Sequence, residues 1–474
     1  MKHFALLSIF ALLSICPSVA QMNPTRLKGC EPNYANYQIT IYKTTDPFDL
    51  LPQNLGTIQV DILGNFELDI LLSSTSYIYA DFDRWHASTI LEPGKEYNIQ
   101  LPPHQPLVEA EKRSPYFSKS SIPFGLKNLP PNDINRQIQS FEIAYAEIED
   151  KYYDDLFIRK SKVTMQKLKS EILQKFTAPA NTFFGQYIYY RLALVEYKLH
   201  LIEDADFIQL YMNVESLPFN SPPFYQLYKE VFTRFFHQEI VLNKNMMLAQ
   251  LIHSGKLSNI ENYFYKNINW GDDLRQITIL YGIFDSYYMN LFPKSILLNI
   301  LNQVQQSNWS SSYKKLAAQL HHQLGYLTPG TAAPDITLQN INQEEIQLSQ
   351  ILSKEKINFL HFSNSNNPIC RNHLEQMSMQ HEKYSSQINF IIIMPKSCQA
   401  KSNAATLANW KGSFFFANDE ALAKYNILTT PFSFVISQDG NFIISPALNP
   451  LEGMIDQLNT LLFNERRKSL TQNN

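Results

Sequence analysis

The strongest constraint on the fold lies at residues 358–371, Asn-Phe-Leu-His-Phe-Ser-Asn-Ser-Asn-Asn-Pro-Ile-Cys-Arg. A short apolar run closed by a cluster of turn-forming residues reads as a buried strand. The residues after it read as a helix over about 369–385, with Cys370 near its start. Further short strands are expected at 388–394, 413–416 and 432–436, with helices at about 403–410 and 419–426 between them. Gln438-Asp439-Gly440-Asn441 is a hairpin signal that pairs 432–437 with 442–445. A last helix is expected from Pro450 to about Glu465, then a polar tail at 467–474. Residues 327–466 therefore form an α/β domain.

The rest of the 474-residue chain is too long for one core, and two to four domains are expected. With 45% hydrophobic and 18% charged residues the chain is globular. A net charge of −3 leaves no basic footprint for nucleic acid. Residues 1–20 read as a signal peptide: Lys2 and His3, an apolar run from Phe4 to Ile15, then Ser18-Val19-Ala20 before a cleavage at Gln21. Cys16 raises the alternative of a lipid anchor, but the bulky Ile15 before it argues against that. No other run approaches the ~20 apolar residues that span a bilayer. The expectation is an exported protein of a bacterial periplasm, without a transmembrane span in the mature chain. Export leaves Cys30, Cys370 and Cys398, an odd count that keeps at least one thiol unpaired in a monomer. No spacing of histidine and cysteine suggests a metal site, and no cofactor is expected.

Residues 21–103 read as a small antiparallel β-sandwich. Tyr37, Ile39 and Ile41 alternate with polar neighbours, as do Phe66, Leu68, Ile70 and Leu72, and then Tyr97, Ile99 and Leu101. Residues 104–130 are punctuated by prolines and read as a linker. Residues 131–326 read as helical. Ile134, Ile138, Phe141, Tyr145, Ile148 and Tyr152 make one apolar stripe, Met165, Leu168, Ile172 and Phe176 another, and 183–201 is apolar on most sides. The aromatic residues of this region read as core packing, with a ligand groove as the alternative. The fold class is a multi-domain α+β and α/β chain.

Within 327–466 several features resemble the exported thioredoxin-like proteins of the TlpA/ResA type, which reduce or shuffle disulfides in bacterial envelopes. They are Ala333-Pro334-Asp335 at the start, the strand ending His361-Phe362, Thr430-Pro431 before a strand, and the hairpin at Asp439-Gly440. Gly64-Asn65-Phe66 with Leu91-Glu92-Pro93-Gly94 resembles the small β-domain that precedes such domains. The resemblance implies a Cys-x-x-Cys-Arg loop at the helix start, whose first cysteine attacks a substrate disulfide and whose second resolves the mixed disulfide. Here Cys370 falls on the resolving position and Asn367 on the attacking one, and an amide cannot act as a thiolate. Pro368 is displaced from the place before the second cysteine, where Ile369 stands. The resemblance also implies a cis bond at Thr430-Pro431 and a peptide-binding edge there, made with Asn367 and Pro368.

Three readings follow. Cys370 works with Cys398, which follows the strand expected beside 357–362; or Cys370 acts alone on protein or peptide thiols and disulfides; or the loop is redox-inert and the domain binds a protein or peptide partner. His361, where related proteins keep a buried carboxylate, reads as a hydrogen-bonded core histidine.

Overall fold

The computed structural model describes residues 24–48, 52–108, 111, 117–398, 410, 412–427 and 429–472. The expected signal segment with Cys16, and the helix expected at 403–410 apart from Trp410, lie outside them. The chain separates into two compact units. One holds the described residues of Met1–Val108, Tyr116–Phe235 and Asn262–Gly282, the other those of Glu109–Pro115, Phe236–Glu261 and Ile283–Asn474. The helical stretch is shared between the units and does not stand alone.

The first unit opens with β1 (Thr25–Cys30), β2 (Gln38–Lys43), β3 (Gln53–Gln59), β4 (Asn65–Ile70), β5 (Ser76–Phe82), β6 (Trp85–Leu91), β7 (Glu96–Gln100), β8 (Ser120–Pro123) and β9 (Gly125–Lys127). They make two sheets, ordered β4-β1-β7-β9 and β3-β2-β5-β6-β8. Alternation sends one face of each sheet into a common core: Leu27, Phe66, Tyr97 and Ile99 from the first meet Ile39, Ile41, Ile58 and Ile78 from the second. Fully burying each such side chain stabilises by about 1.5–3 kcal/mol.

Two expectations are corrected here. The sandwich is not purely antiparallel, because β1 pairs with β7 and β6 with β8 in parallel. Part of the expected linker is sheet, because β8 and β9 occupy edge positions, where Pro123 has no need of a second ladder partner.

Helices α1 (Ile134–Lys151), α2 (Lys162–Lys175) and α3 (Phe183–Lys198) follow. Each begins at a side-chain cap, from Asp133, Ser161 and Thr182 respectively. Their stripes share one core of Phe141, Tyr145, Met165, Leu168, Ile188 and Leu192. In α4 (Pro222–Phe232), Phe224, Tyr228 and Phe232 are fully buried, so these aromatics are core.

The second unit carries a seven-stranded sheet built from β10 (Thr337–Gln339), β11 (Glu345–Gln347), β12 (Ile357–Phe362), β13 (Ile388–Pro395), β14 (Ser413–Ala417), β15 (Phe432–Ile436) and β16 (Phe442–Ala447). The order is β11-β10-β14-β13-β12-β15-β16. Parallel β12, β13 and β14 sit at the centre, and the antiparallel β15–β16 hairpin flanks β12. This is a thioredoxin-like sheet.

Every residue of β12 is buried because both faces are covered. Ile357 and Phe359 pack with Leu374 and Met377 of α5 (Pro368–Tyr384) and with Leu458 of the C-terminal helix Met454–Gln472. Leu360 and Phe362 pack on the opposite face with Ala421 and Leu422 of the helix Asp419–Lys424. The C-terminal helix starts later than Pro450 and continues through much of the expected polar tail.

Candidate functional site

The site lies where β12 gives way to α5. Beyond Phe362 the chain stays tied to β13 through Ser363 N, which donates to Ile393 O at 2.9 Å. It then turns on Asn364, whose carbonyl accepts from Asn367 N at 2.9 Å and whose Oδ1 accepts from Asn366 N at 2.9 Å. Asn367 caps α5. Its Oδ1 accepts from Ile369 N at 2.9 Å and its Nδ2 donates to Thr430 O at 3.1 Å. Pro368 takes the first turn of the helix, where a missing N–H costs nothing. The Thr430–Pro431 bond is cis, as the resemblance implied.

Asn367, Pro368, Thr430 and Pro431 are thus gathered at one place, and the Asn367 amide is bound to the backbone on both sides of it. Helix geometry turns Ile369 outward, 57% exposed, and Cys370 inward, 0% exposed. Arg371 folds back on the loop, with Nη1 donating to Ser365 O at 3.0 Å. Cys398 is also fully buried, in the short 3-10 turn after β13. Its Sγ donates to Asn364 Oδ1 at 3.3 Å, and Asn366 Nδ2 stands 3.9 Å from the sulfur. Asn364 therefore links the loop to Cys398, and no disulfide joins Cys370 and Cys398.

Beneath the loop is a polar chain that sequence reasoning met only in part. His361 is fully buried, and its Nδ1 lies 2.9 Å from Ser433 Oγ. Ser433 Oγ donates to Asn449 Oδ1 at 2.9 Å, and Asn449 Nδ2 donates to Glu452 Oε2 at 3.0 Å. The carboxylate accepts only, so it fixes the amide orientation. The amide in turn fixes the serine proton, and Nδ1 of His361 must carry the hydrogen. His361 Nε2 is then a buried lone pair, without a hydrogen-bond partner among the described residues. The His373 ring lies 5.8 Å away, centroid to centroid.

Burial, and then the neighbouring imidazole of His373, push His361 down to about 3. Burial likewise lowers His373, against an opposing pull from Glu452. His361 is the hydrogen-bonded core histidine expected. His373, Ser433 and Asn449 were missed, although His373 stands three residues after Cys370 on the same helix face.

The loop thus presents the Asn367 amide at the start of α5, and Cys370 and Cys398 are both enclosed. Among the described residues no group of three or more histidine, cysteine or acidic side chains is placed to hold a metal ion. No helix among them is long and apolar enough to cross a membrane. Asn367→Ala removes the cap and the tie to Thr430, and is expected to lower stability by about 1 kcal/mol. An unchanged denaturant midpoint in that variant would show that the amide contributes nothing to the loop.

Residues 329–444 match the family model described as the AhpC/TSA family. No curated protein matches the chain. Similar solved structures include a candidate thiol-disulfide oxidoreductase from Bacteroides vulgatus, at 21% identity and TM-score 0.25 over 28% of this chain and 94% of that one. A thiol:disulfide interchange protein from Bacteroides sp. is similar at 14% identity and TM-score 0.25 over 28% and 90%. A thioredoxin-like protein from Bacteroides caccae is similar at 9% identity and TM-score 0.29 over 46% and 88%. The family match and the sheet order agree on a thioredoxin-like C-terminal domain.

Proposed function

We propose that this is an exported thioredoxin-like protein, related to envelope thiol-disulfide oxidoreductases, in which the 367–370 loop runs no dithiol cycle and the domain holds a protein or peptide partner. The observation that carries the reading is the use made of position 367. Asn367 stands where the attacking thiol belongs and spends its amide on Ile369 N and Thr430 O, over a fully buried Cys370. A buried free cysteine behaves as a small apolar side chain. One observation favours a second reading, a relocated pair: Cys398 is hydrogen-bonded to the loop through Asn364.

Cysteine mapping separates the two. Thiol labelling of the native protein under non-reducing conditions, followed by peptide mass analysis, is expected to modify the exposed Cys30 and to reach Cys370 and Cys398 only after denaturation. A reducible Cys370–Cys398 bridge, or rapid native labelling of Cys370, would overturn the inert-loop reading.

A further inference from the structure

The outer face of the second sheet of the sandwich carries a cavity of about 360 Å³ that the thioredoxin-like domain does not account for. Its origin is in the phase of β5. Ile78, Ala80 and Phe82 fill the sandwich core, so Tyr77, Tyr79 and Asp81 point the other way. Asp81 stands opposite His86 of β6, and His86 Nδ1 lies 2.8 Å from Asp81 Oδ1. The Tyr79 ring lies 4.9 Å from the His86 ring and 6.5 Å from the Tyr77 ring, with both interplanar angles at 31°. The three rings thus cluster on the lining of the cavity. Asp46, in the turn after β2, accepts from Phe48 N at 2.9 Å and from Thr45 Oγ1 at 3.1 Å, which fixes its carboxylate at the rim. Tyr225 of α4 completes the lining.

We propose that this cavity binds an organic cation, an ammonium or guanidinium group seated against the tyrosine faces and neutralised by Asp46 and Asp81. The volume is that of an ordinary small-molecule site, apolar walls with a few polar groups. Carboxylates only accept hydrogen bonds, so the ligand must bring donors. Tyrosine faces are electron-rich and attract cations. Among the described residues the lining holds two aspartates and no lysine or arginine. The lining also holds His86, which is paired with Asp81. Lys119 acts on the charge of Asp81, and Lys229 Nζ lies 5.3 Å from the Tyr225 ring centroid, an internal instance of the same contact.

The test is isothermal titration of the full mature chain with spermidine and with N-acetyl-arginine amide as a peptide-side-chain mimic; maltotriose serves as the neutral control. At least one cation is expected to bind with Kd below about 1 mM, more weakly at higher salt. Tyr79→Leu and Asp81→Asn are each expected to weaken that binding about tenfold, and the circular dichroism melt identifies any variant that fails to fold. Preference for spermidine would assign a free polyamine, and preference for the arginine amide a basic peptide. The proposal is overturned by no binding of any cation at about 10 mM, by affinity unchanged in both folded variants, or by binding of maltotriose alone.

Discussion

Acidification is expected to loosen the thioredoxin-like domain at β12 and α5 before it affects the rest of that domain, and His361 is the cause. In the folded chain burial, with the His373 ring beside it, holds His361 down to about 3. In the unfolded chain it titrates near 6.5. Between those values the unfolded state binds a proton that the folded state refuses, so stability falls as pH falls. The contribution is intact above pH 6.5, is smaller by about 2 kcal/mol at pH 5 and by about 3 kcal/mol at pH 4, and levels off near pH 3. His373 is lowered too and adds in the same direction, while Glu452 opposes it.

Hydrogen-exchange protection of the β12 amides, corrected for intrinsic rates, is therefore expected to drop about thirtyfold from pH 7.5 to pH 5. His361→Leu removes the titrating group and the unpartnered Nε2, while Ser433 keeps its bond to Asn449. At pH 7.5 that variant should lie within about 1 kcal/mol of the parent. Equal acid loss in the parent and in His361→Leu would remove His361 as the cause.

The same neighbourhood marks how far sequence reading reaches. The run Ile357–Phe362 was legible as a fully buried strand because both faces of β12 are covered, so apolar residues continue without alternation. The inward position of Cys370 follows from its place on α5, but its complete enclosure depends on packing that spacing does not encode. The link from Cys398 to the loop runs through Asn364 and Asn366, which read only as turn-formers in sequence. The parallel pairing of β1 with β7 joins strands remote in the chain, and no local pattern announces it. In the first unit, Tyr77-Ile78-Tyr79-Ala80 is apolar in both phases. Which phase faces the core, and hence where the tyrosine rings cluster, was decided by tertiary packing.

On the proposed inert-loop reading, Asn367→Cys is expected to give the domain a dithiol exchange, the largest functional change a single substitution should bring. The introduced thiol would stand at the N-cap of α5, where the dipole stabilises a thiolate. Cys370 lies three residues on, one helical turn away, within the Cα separation a disulfide requires. The substitution also removes the Asn367 Nδ2 bond to Thr430 O, freeing that carbonyl to accept from an extended peptide beside the new thiol. Loss of the Oδ1 cap on Ile369 N costs about 1 kcal/mol, which a folded domain tolerates.

Reduction of insulin disulfides should rise by on the order of tenfold or more over the parent, and the variant should form an internal bridge that dithiothreitol opens. Pairing Asn367→Cys with Cys370→Ala removes the resolving thiol. That double variant should accumulate mixed disulfides with substrate instead of turning over, which distinguishes a restored cycle from a merely exposed thiol. A folded Asn367→Cys protein with no gain in insulin reduction would mean that Cys370 is too enclosed to resolve.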